Sequence, residues 1–402
     1  MRIAYYADNF YPELSGIVDS ILLTGRTLKK RGHEVMYVGP RYSRKNYATA
    51  KCSPDGLTAS GLAQAGECDE LGVDIVRMPS LPLPFSPTGQ SRLALPFGST
   101  FNAVRKFKPD IIHTSSPYGA GIEAMRAAKK LGVPLIGTNH TVIEEYYPFA
   151  PELMRRYEAW YYNHCSFVSA PYAALIARMR EKGFLRNGGA VPNPVELSTF
   201  CPPKADEKSA LRREKGHAGP VILYAGRLAG EKRIDVVLRA VALVAKRIPN
   251  LSFVIVGSGS ADGALKSLAR ELGIEKNVRF TGFLSHEAMS REFCAADIFA
   301  IMSTSDSQSL TLMQAYSSGL PAVGARSHGL IDYMPPECGI LVPPGDAGAC
   351  AQALEKLILD VPLRERMGKA AVEFVAQFAP ENIAARWEEI YKQALTRRPS
   401  AI

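Results

Sequence analysis

The run Val221-Ile222-Leu223-Tyr224-Ala225 passes directly into Gly226-Arg227-Leu228-Ala229-Gly230-Glu231-Lys232, and an amphipathic stretch over residues 234–247 follows. An apolar run closed by glycine predicts a buried strand, and the apolar recurrence after it predicts a helix. The same alternation continues outward in both directions. Downstream, the pattern predicts strands over Phe253–Val256, Arg279–Thr281, Ile298–Ile301 and Ala322–Gly324, with helices over Ala261–Leu272 and Leu310–Ser318. Upstream, it predicts strands over Ile3–Ala7, Glu34–Val38, Ile111–His113, Leu135–Thr138 and Phe167–Ala170. Helices over Ile17–Arg31 and Gly121–Leu131 lie between them, closed by Gly32 and Gly132, which suit left-handed caps. Strand and helix in alternation mean parallel sheets with helices on both faces.

The alternation pauses near Val191-Pro192-Asn193-Pro194 and restarts at Val221. The polar, charged stretch between reads as a connection between domains. The expected architecture is therefore α/β: two tandem doubly wound, Rossmann-like domains facing a cleft. The N-terminal one covers residues 1–195, the connection 196–218 and the C-terminal one 219–379. A last amphipathic segment, 380–402, is expected to pack across to the N-terminal domain. Ligands of such sheets bind beyond the carboxyl ends of the strands.

Composition narrows the class. Of 402 residues, 47% are hydrophobic and 22% charged, as in a globular protein rather than a membrane-spanning or disordered one. The N-terminus enters a strand at once, which argues against a secretory signal. Seven scattered cysteines without a C-x-x-C point to reduced thiols in the cytoplasm. The net charge is +9, and residues 1–198 hold 23 Lys+Arg against 17 Asp+Glu. A basic half attracts phosphorylated substrates or anionic lipid, and no recognised nucleic-acid motif accompanies it.

Arg227 and Lys232, five residues apart on a strand-end loop, suit a diphosphate, which needs charge neutralised on two groups. Some eighty residues on, Ser303-Thr304-Ser305-Asp306-Ser307-Gln308-Ser309-Leu310-Thr311 joins a strand end to a helix. Free N–H groups around Ser309–Thr311 would point at an anion, aided by the helix dipole.

Together these segments resemble the family-4 retaining glycosyltransferases, which have the GT-B fold. Also matching are Tyr11-Pro12-Glu13-Leu14-Ser15-Gly16, Thr138-Asn139-His140-Thr141, Val191-Pro192-Asn193-Pro194-Val195 and Ser318-Gly319-Leu320-Pro321. Similarity is closest to the diacylglycerol glycosyltransferase branch, where Pro79–Phe85, Leu95-Pro96 and Asp306–Thr311 have lookalikes. The resemblance implies a nucleoside-diphosphate sugar as donor substrate, UDP-glucose favoured, with no other cofactor. The lack of an Asp-x-Asp and of any His/Asp/Glu cluster at ligand spacing predicts no catalytic metal. It implies that Arg227 and Lys232 bind the diphosphate and that the Gly16 backbone approaches it. Residues around Phe283 and Leu284 would hold the base, and His140 would face the reacting sugar. The family's paired glutamates fall on Asp306, for the sugar hydroxyls, and Gln314, for the ribose. Asp306 is one methylene shorter than glutamate and Gln314 has lost the charge. A neutral hydrogen bond in place of a charged one costs about 1 kcal/mol. His113 reads as a structural strand-end histidine.

The implied reaction is front-face transfer of a hexose to an acceptor hydroxyl, with the first domain binding the acceptor. That acceptor is expected on a membrane lipid, with the enzyme peripheral on the inner face. The basic residues Arg41, Arg44, Lys45, Arg155, Arg156, Arg178, Arg180, Lys182 and Arg186 would contact anionic lipid beside Leu83–Phe85 and Tyr146–Phe149. Two alternatives stand beside this reading, a non-catalytic sugar-nucleotide-binding protein and a sugar-nucleotide epimerase of the same fold. Oligomeric state is not legible in the sequence.

Overall fold

A computed structural model describes residues 1–13, 16–42, 74–83, 92–140 and 151–396. Leu14, Ser15, Arg44, Lys45, Pro84, Phe85, Thr141 and Tyr146–Phe149 lie outside the described residues. The chain divides into two compact units: Met1–Pro194 with Pro380–Ile402, and Val195–Ala379.

In the first unit the strands are β1 (Arg2–Tyr6), β2 (Glu34–Pro40), β3 (Asp74–Met78), β4 (Ser80–Pro82), β5 (Arg92–Ala94), β6 (Ile111–Thr114), β7 (Leu135–Thr138), β8 (Phe167–Ala170) and β9 (Gly188–Ala190). Seven of them form one sheet in the order β3-β2-β1-β6-β7-β8-β9, and every pairing in it is parallel. β4 and β5 make a separate antiparallel pair. Leu135–Thr138 and Phe167–Ala170 are strands over the residues expected. The capping glycines also hold: Gly32 has φ +87° and Gly132 +68°, the left-handed region where a Cβ is costly.

The Pro380–Thr396 helix belongs to this first unit and packs along the Gly16–Lys30 helix. Trp387, Tyr391, Ile383 and Ala384 are buried in one cluster with Ile3, Tyr5, Ile21, Leu22 and Tyr37. At its edge the Glu388 carboxylate takes hydrogen bonds from Arg31 Nε at 2.7 Å and meets His33 Nε2 at 2.9 Å. Arg31 first, then His33, hold that carboxyl down at about 2, below the usual range.

The second unit repeats the plan with β10 (Val221–Ala225), β11 (Ser252–Val256), β12 (Val278–Gly282), β13 (Ile298–Ile301), β14 (Ala322–Ala325) and β15 (Gly339–Val342). Its order is β12-β11-β10-β13-β14-β15, again parallel throughout. In each sheet the first strand lies beside the point where the order reverses, between β1 and β6 and between β10 and β13. Diverging loops there leave a crevice for ligand.

One expectation needs correcting. Within 196–218, read as a connection, residues 205–214 form a helix anchored in the second unit. Arg212 Nη1 reaches both oxygens of Asp297 at 3.0 Å, and Lys208 Nζ reaches Oδ1 at 3.0 Å. Burial alone would raise the Asp297 carboxyl; Lys208 and Arg212 outweigh it and hold it below its ordinary value. The helix was obscure in the sequence because Leu211 is its one buried residue and the rest are charged or small. No helix among the described residues is long and apolar enough to cross a membrane.

Candidate active site

The loops that follow β10 and β13 meet at the reversal point of the second sheet. Lys232 Nζ sits 2.8 Å from Asp306 Oδ1, across 74 residues of sequence. Both side chains are about one-sixth exposed, at 17% and 18%. A second link joins the loops where the Thr304 N–H donates to the Glu231 carbonyl at 3.1 Å. Arg227 turns outward and pairs with Glu231 at 2.6 Å. The Tyr224 hydroxyl donates to the Arg227 carbonyl at 3.0 Å and so steadies the loop from beneath. Burial, then the charge of Asp306, raises the Tyr224 hydroxyl well above its ordinary value, so it remains a neutral donor.

Ser309 caps the Leu310–Ser317 helix, its hydroxyl accepting from the Leu312 N–H at 3.3 Å and lying 3.2 Å from Thr311 Oγ1. One turn on, Gln314 Oε1 is buried and has no hydrogen-bond partner. An unpaired buried acceptor costs roughly 1–3 kcal/mol, so it is a place where a ligand donor is gained at little desolvation cost. The loop after β14 supports Asp306 from the other side. Gly329 N–H donates to the Asp306 carbonyl at 3.1 Å, and a Cβ at Gly329 would collide with the Ser307 carbonyl oxygen.

The carboxyl ends of three neighbouring strands finish on glycine. Gly226, Gly257 and Gly282 follow or end β10, β11 and β12 with φ of +148°, +134° and +72°. Gly257 N–H donates to the Gly282 carbonyl at 2.9 Å, and a Cβ on Gly257 would strike the Gly226 carbonyl oxygen. A Cβ on Gly259 would strike the Leu228 carbonyl likewise. Bare backbone thus forms a continuous shelf from the Arg227 loop to Phe283 and Leu284, which follow Gly282 directly. Gly257-Ser258-Gly259 is more than a tight turn: the neighbouring loop needs its lack of side chains.

Arg227, Lys232, Asp306, Ser309, Leu310, Thr311 and Gln314 therefore gather at one strand-end region of the second unit, with Phe283 and Leu284 at the far end of the shelf. Gly16 and His140 belong to the first unit. Gly16 opens the Gly16–Lys30 helix and is exposed, and His140 lies buried just beyond β7. His113 is a core residue. Its ring contacts Tyr391 OH at 2.7 Å through Nδ1 and Thr138 Oγ1 at 2.8 Å through Nε2. The Trp387 ring centroid lies 4.5 Å from its own. Asp8 was not singled out in the sequence. It accepts from the Ala120 N–H at 2.9 Å and the Ser116 hydroxyl at 2.6 Å, capping a helix whose own N-cap, Tyr118, supplies no side-chain acceptor. Among the described residues no group of three or more His, Cys, Asp or Glu side chains is placed to hold a metal ion.

Burial lowers the His140 imidazole to about 4, and burial with the nearby charge of His140 lowers His113 well below its ordinary value. Both rings are neutral in the fold, whereas the unfolded chain binds those protons near pH ~6.5. The unfolded state therefore holds more protons below that pH, and stability falls as pH drops through it and on towards the folded value. Melting temperatures of the wild type should decline on acidification between pH ~6.5 and ~4.5, and less steeply for His140→Gln. Superimposable slopes would show that His140 is not buried neutral.

Residues 14–199 match the family model for Glycosyltransferase Family 4, and residues 207–374 match that for glycosyl transferases group 1. The chain belongs to the family-4 glycosyltransferases. It is 25% identical over 408 residues to the alpha-monoglucosyldiacylglycerol synthase of Streptococcus pneumoniae, covering 98% of this chain and 86% of that one. A GDP-mannose-dependent alpha-mannosyltransferase of Corynebacterium glutamicum is 26% identical over 404 residues, 98% of this chain and 88% of that one. Among solved structures, HepE of Anabaena in complex with UDP superposes with a TM-score of 0.78 at 17% identity, covering 98% of this chain and 100% of that one. This glycosyltransferase thus has the GT-B fold and uses a sugar-nucleotide donor.

Proposed function

We propose that this glycosyltransferase moves a hexose, glucose from UDP-glucose in the favoured case, to a hydroxyl of a membrane lipid such as diacylglycerol, with retention at the anomeric carbon. The observation that carries the donor half is the Lys232–Asp306 pair beside the unpartnered Gln314 Oε1. Together they offer a cation for phosphate, a carboxylate for sugar hydroxyls and a vacant acceptor for a ribose hydroxyl. Support for lipid and glucose comes from the name of the Streptococcus relative, and support for UDP from the ligand bound to HepE.

In the proposed step the acceptor oxygen attacks the anomeric carbon from the face on which the diphosphate departs. The bond from that carbon to the phosphate oxygen breaks, and that oxygen takes the acceptor proton. Arg227, Lys232 and the N–H groups opening the Leu310–Ser317 helix stabilise the leaving charge, which is the work done by a metal ion in other designs. His140, neutral at physiological pH, is assigned to the sugar as a hydrogen-bonding group.

Transfer of labelled sugar from UDP-glucose to diacylglycerol in detergent micelles tests the reading; transfer from GDP-mannose instead would overturn the donor. Gln314 gives a finer test. Gln314→Glu should tighten donor binding by about 1 kcal/mol, and Gln314→Leu should weaken it by a similar amount. Calorimetric affinities indifferent to both changes would remove Gln314 from the ribose site.

A further inference from the structure

The residues from the β4–β5 pair to the Gly119–Leu131 helix expose apolar groups in a way that no donor contact explains. Leu81 and Leu93 face each other across the two strands and are 55% and 43% exposed. Phe97 is 77% exposed. It does not sit on a loose loop. Leu95 N–H donates to the Pro79 carbonyl at 2.8 Å, and Phe97 N–H to the Leu95 carbonyl at 2.9 Å. Immediately after it, the buried Glu123 carboxylate accepts from the N–H groups of Gly98 and Thr100, each at 3.0 Å. Arg126 Nη1 closes the other side by donating to the Pro96 carbonyl at 2.7 Å. A large aromatic side chain is therefore held mostly in water by a fixed backbone, where its exposure costs free energy.

Its surroundings are strongly basic. Residues 92–131 contain seven Lys and Arg against two acids, Asp110 and Glu123. Both acids are occupied: Asp110 accepts from the Arg2 N–H at 2.7 Å and Glu123 is 2% exposed. Arg105, Lys106, Arg126, Lys129 and Lys130 are exposed on two helices that pack together, and the exposed Lys108 caps the first of them. Lys130 Nζ also lies 5.1 Å from the Phe101 ring centroid, beside the same loop. A fixed aromatic anchor with leucines nearby in the chain and a group of exposed cations matches the interface of an anionic bilayer. A protein partner would be expected to meet a mixture of both charges at the rim.

We infer that Phe97, with Leu81 and Leu93, inserts into anionic membrane and that the cations of the 101–107 and 119–131 helices hold the first unit against it. The inference rests on the lipid-acceptor reading and names its docking surface, which differs from the cations around Arg155 and Arg180 singled out in the sequence. Insertion costs little ordering entropy, because the loop is already fixed.

Co-sedimentation with phosphatidylglycerol-containing and with pure phosphatidylcholine vesicles tests it. Wild type should bind the anionic vesicles alone, and lose that binding near molar salt. Phe97→Ser should weaken binding by about tenfold, the loss of a buried aromatic. The double change Lys129→Glu, Lys130→Glu should weaken it by about tenfold or more. Leu243→Ser, which removes an exposed leucine from the second unit, should bind as wild type does. In Phe97→Trp, the added fluorescence should shift to the blue with anionic vesicles. Binding that is unchanged in Phe97→Ser, or absent in the wild type, overturns the surface. Transfer to lipid in micelles needs no bilayer, so it tests the acceptor reading separately: transfer without vesicle binding sinks the surface alone.

Discussion

Turnover of the Lys232→Ala and Arg227→Ala variants should fall by about a hundredfold or more, the usual consequence of removing a preorganised charge stabiliser. The two should differ in stability. Arg227 and Glu231 are both more than a third exposed, and such pairs contribute little to folding. Lys232 is less exposed, and its loss leaves the Asp306 carboxylate without its cation. A cost of about 1 kcal/mol to folding is expected there and almost none for Arg227→Ala. Steady-state kinetics with matched thermal melts separate the effects. A variant that keeps near-normal turnover on a confirmed donor would show that its cation does not meet the diphosphate.

Gly257→Ala should be strongly destabilising to the second unit. At φ +134° the new side chain is strained whatever the space, and its Cβ collides with the carbonyl oxygen of Gly226, which is backbone and cannot swing aside. Strain and overpacking together should cost about 3 kcal/mol. Relief would push the Arg227 loop off the shelf, so donor affinity should fall with stability. Gly263 provides the control. It lies in the Asp262–Glu271 helix with no atom within 4 Å of a built Cβ. Gly263→Ala should be neutral or stabilising by up to ~1 kcal/mol. If Gly257→Ala melts with the wild type, the close approach of the two strand ends is not real.

The fold was legible where burial is two-sided. Val221–Ala225 and Ile298–Ile301 are unbroken apolar runs, and the structure starts and ends those strands on the expected residues. Gly188–Ala190 gave no signal, because Gly-Gly-Ala pairs through backbone alone at the end of a sheet. Gly339–Val342 carries a short apolar run, Ile340-Leu341-Val342, but Pro335-Pro336 before it and Pro343-Pro344 after it made it read as loop. The cations of the candidate site could be read from their place after a strand. Their pairing could not, since Lys232 and Asp306 meet only through the order of the sheet. Tyr224 passed as one more apolar residue of β10, and its hydroxyl became informative once its partner, the Arg227 carbonyl, was placed. The glycine shelf needs three strand ends side by side, a relation that sequence spacing does not encode.

The Pro380–Thr396 helix gives the chain an unusual order of completion. Trp387 and Tyr391 are buried among residues of β1 and the Gly16–Lys30 helix, yet the whole of 195–379 is synthesised before them. Residues 195–379, by contrast, form a unit whose every strand and helix is already present when synthesis reaches Pro380. Domains of most proteins mature from the N-terminus as the chain emerges. Here the core of the first unit stays open at Tyr5, Ile21 and Tyr37 while residues 195–379 are made. Of the two units, the one begun first is completed second.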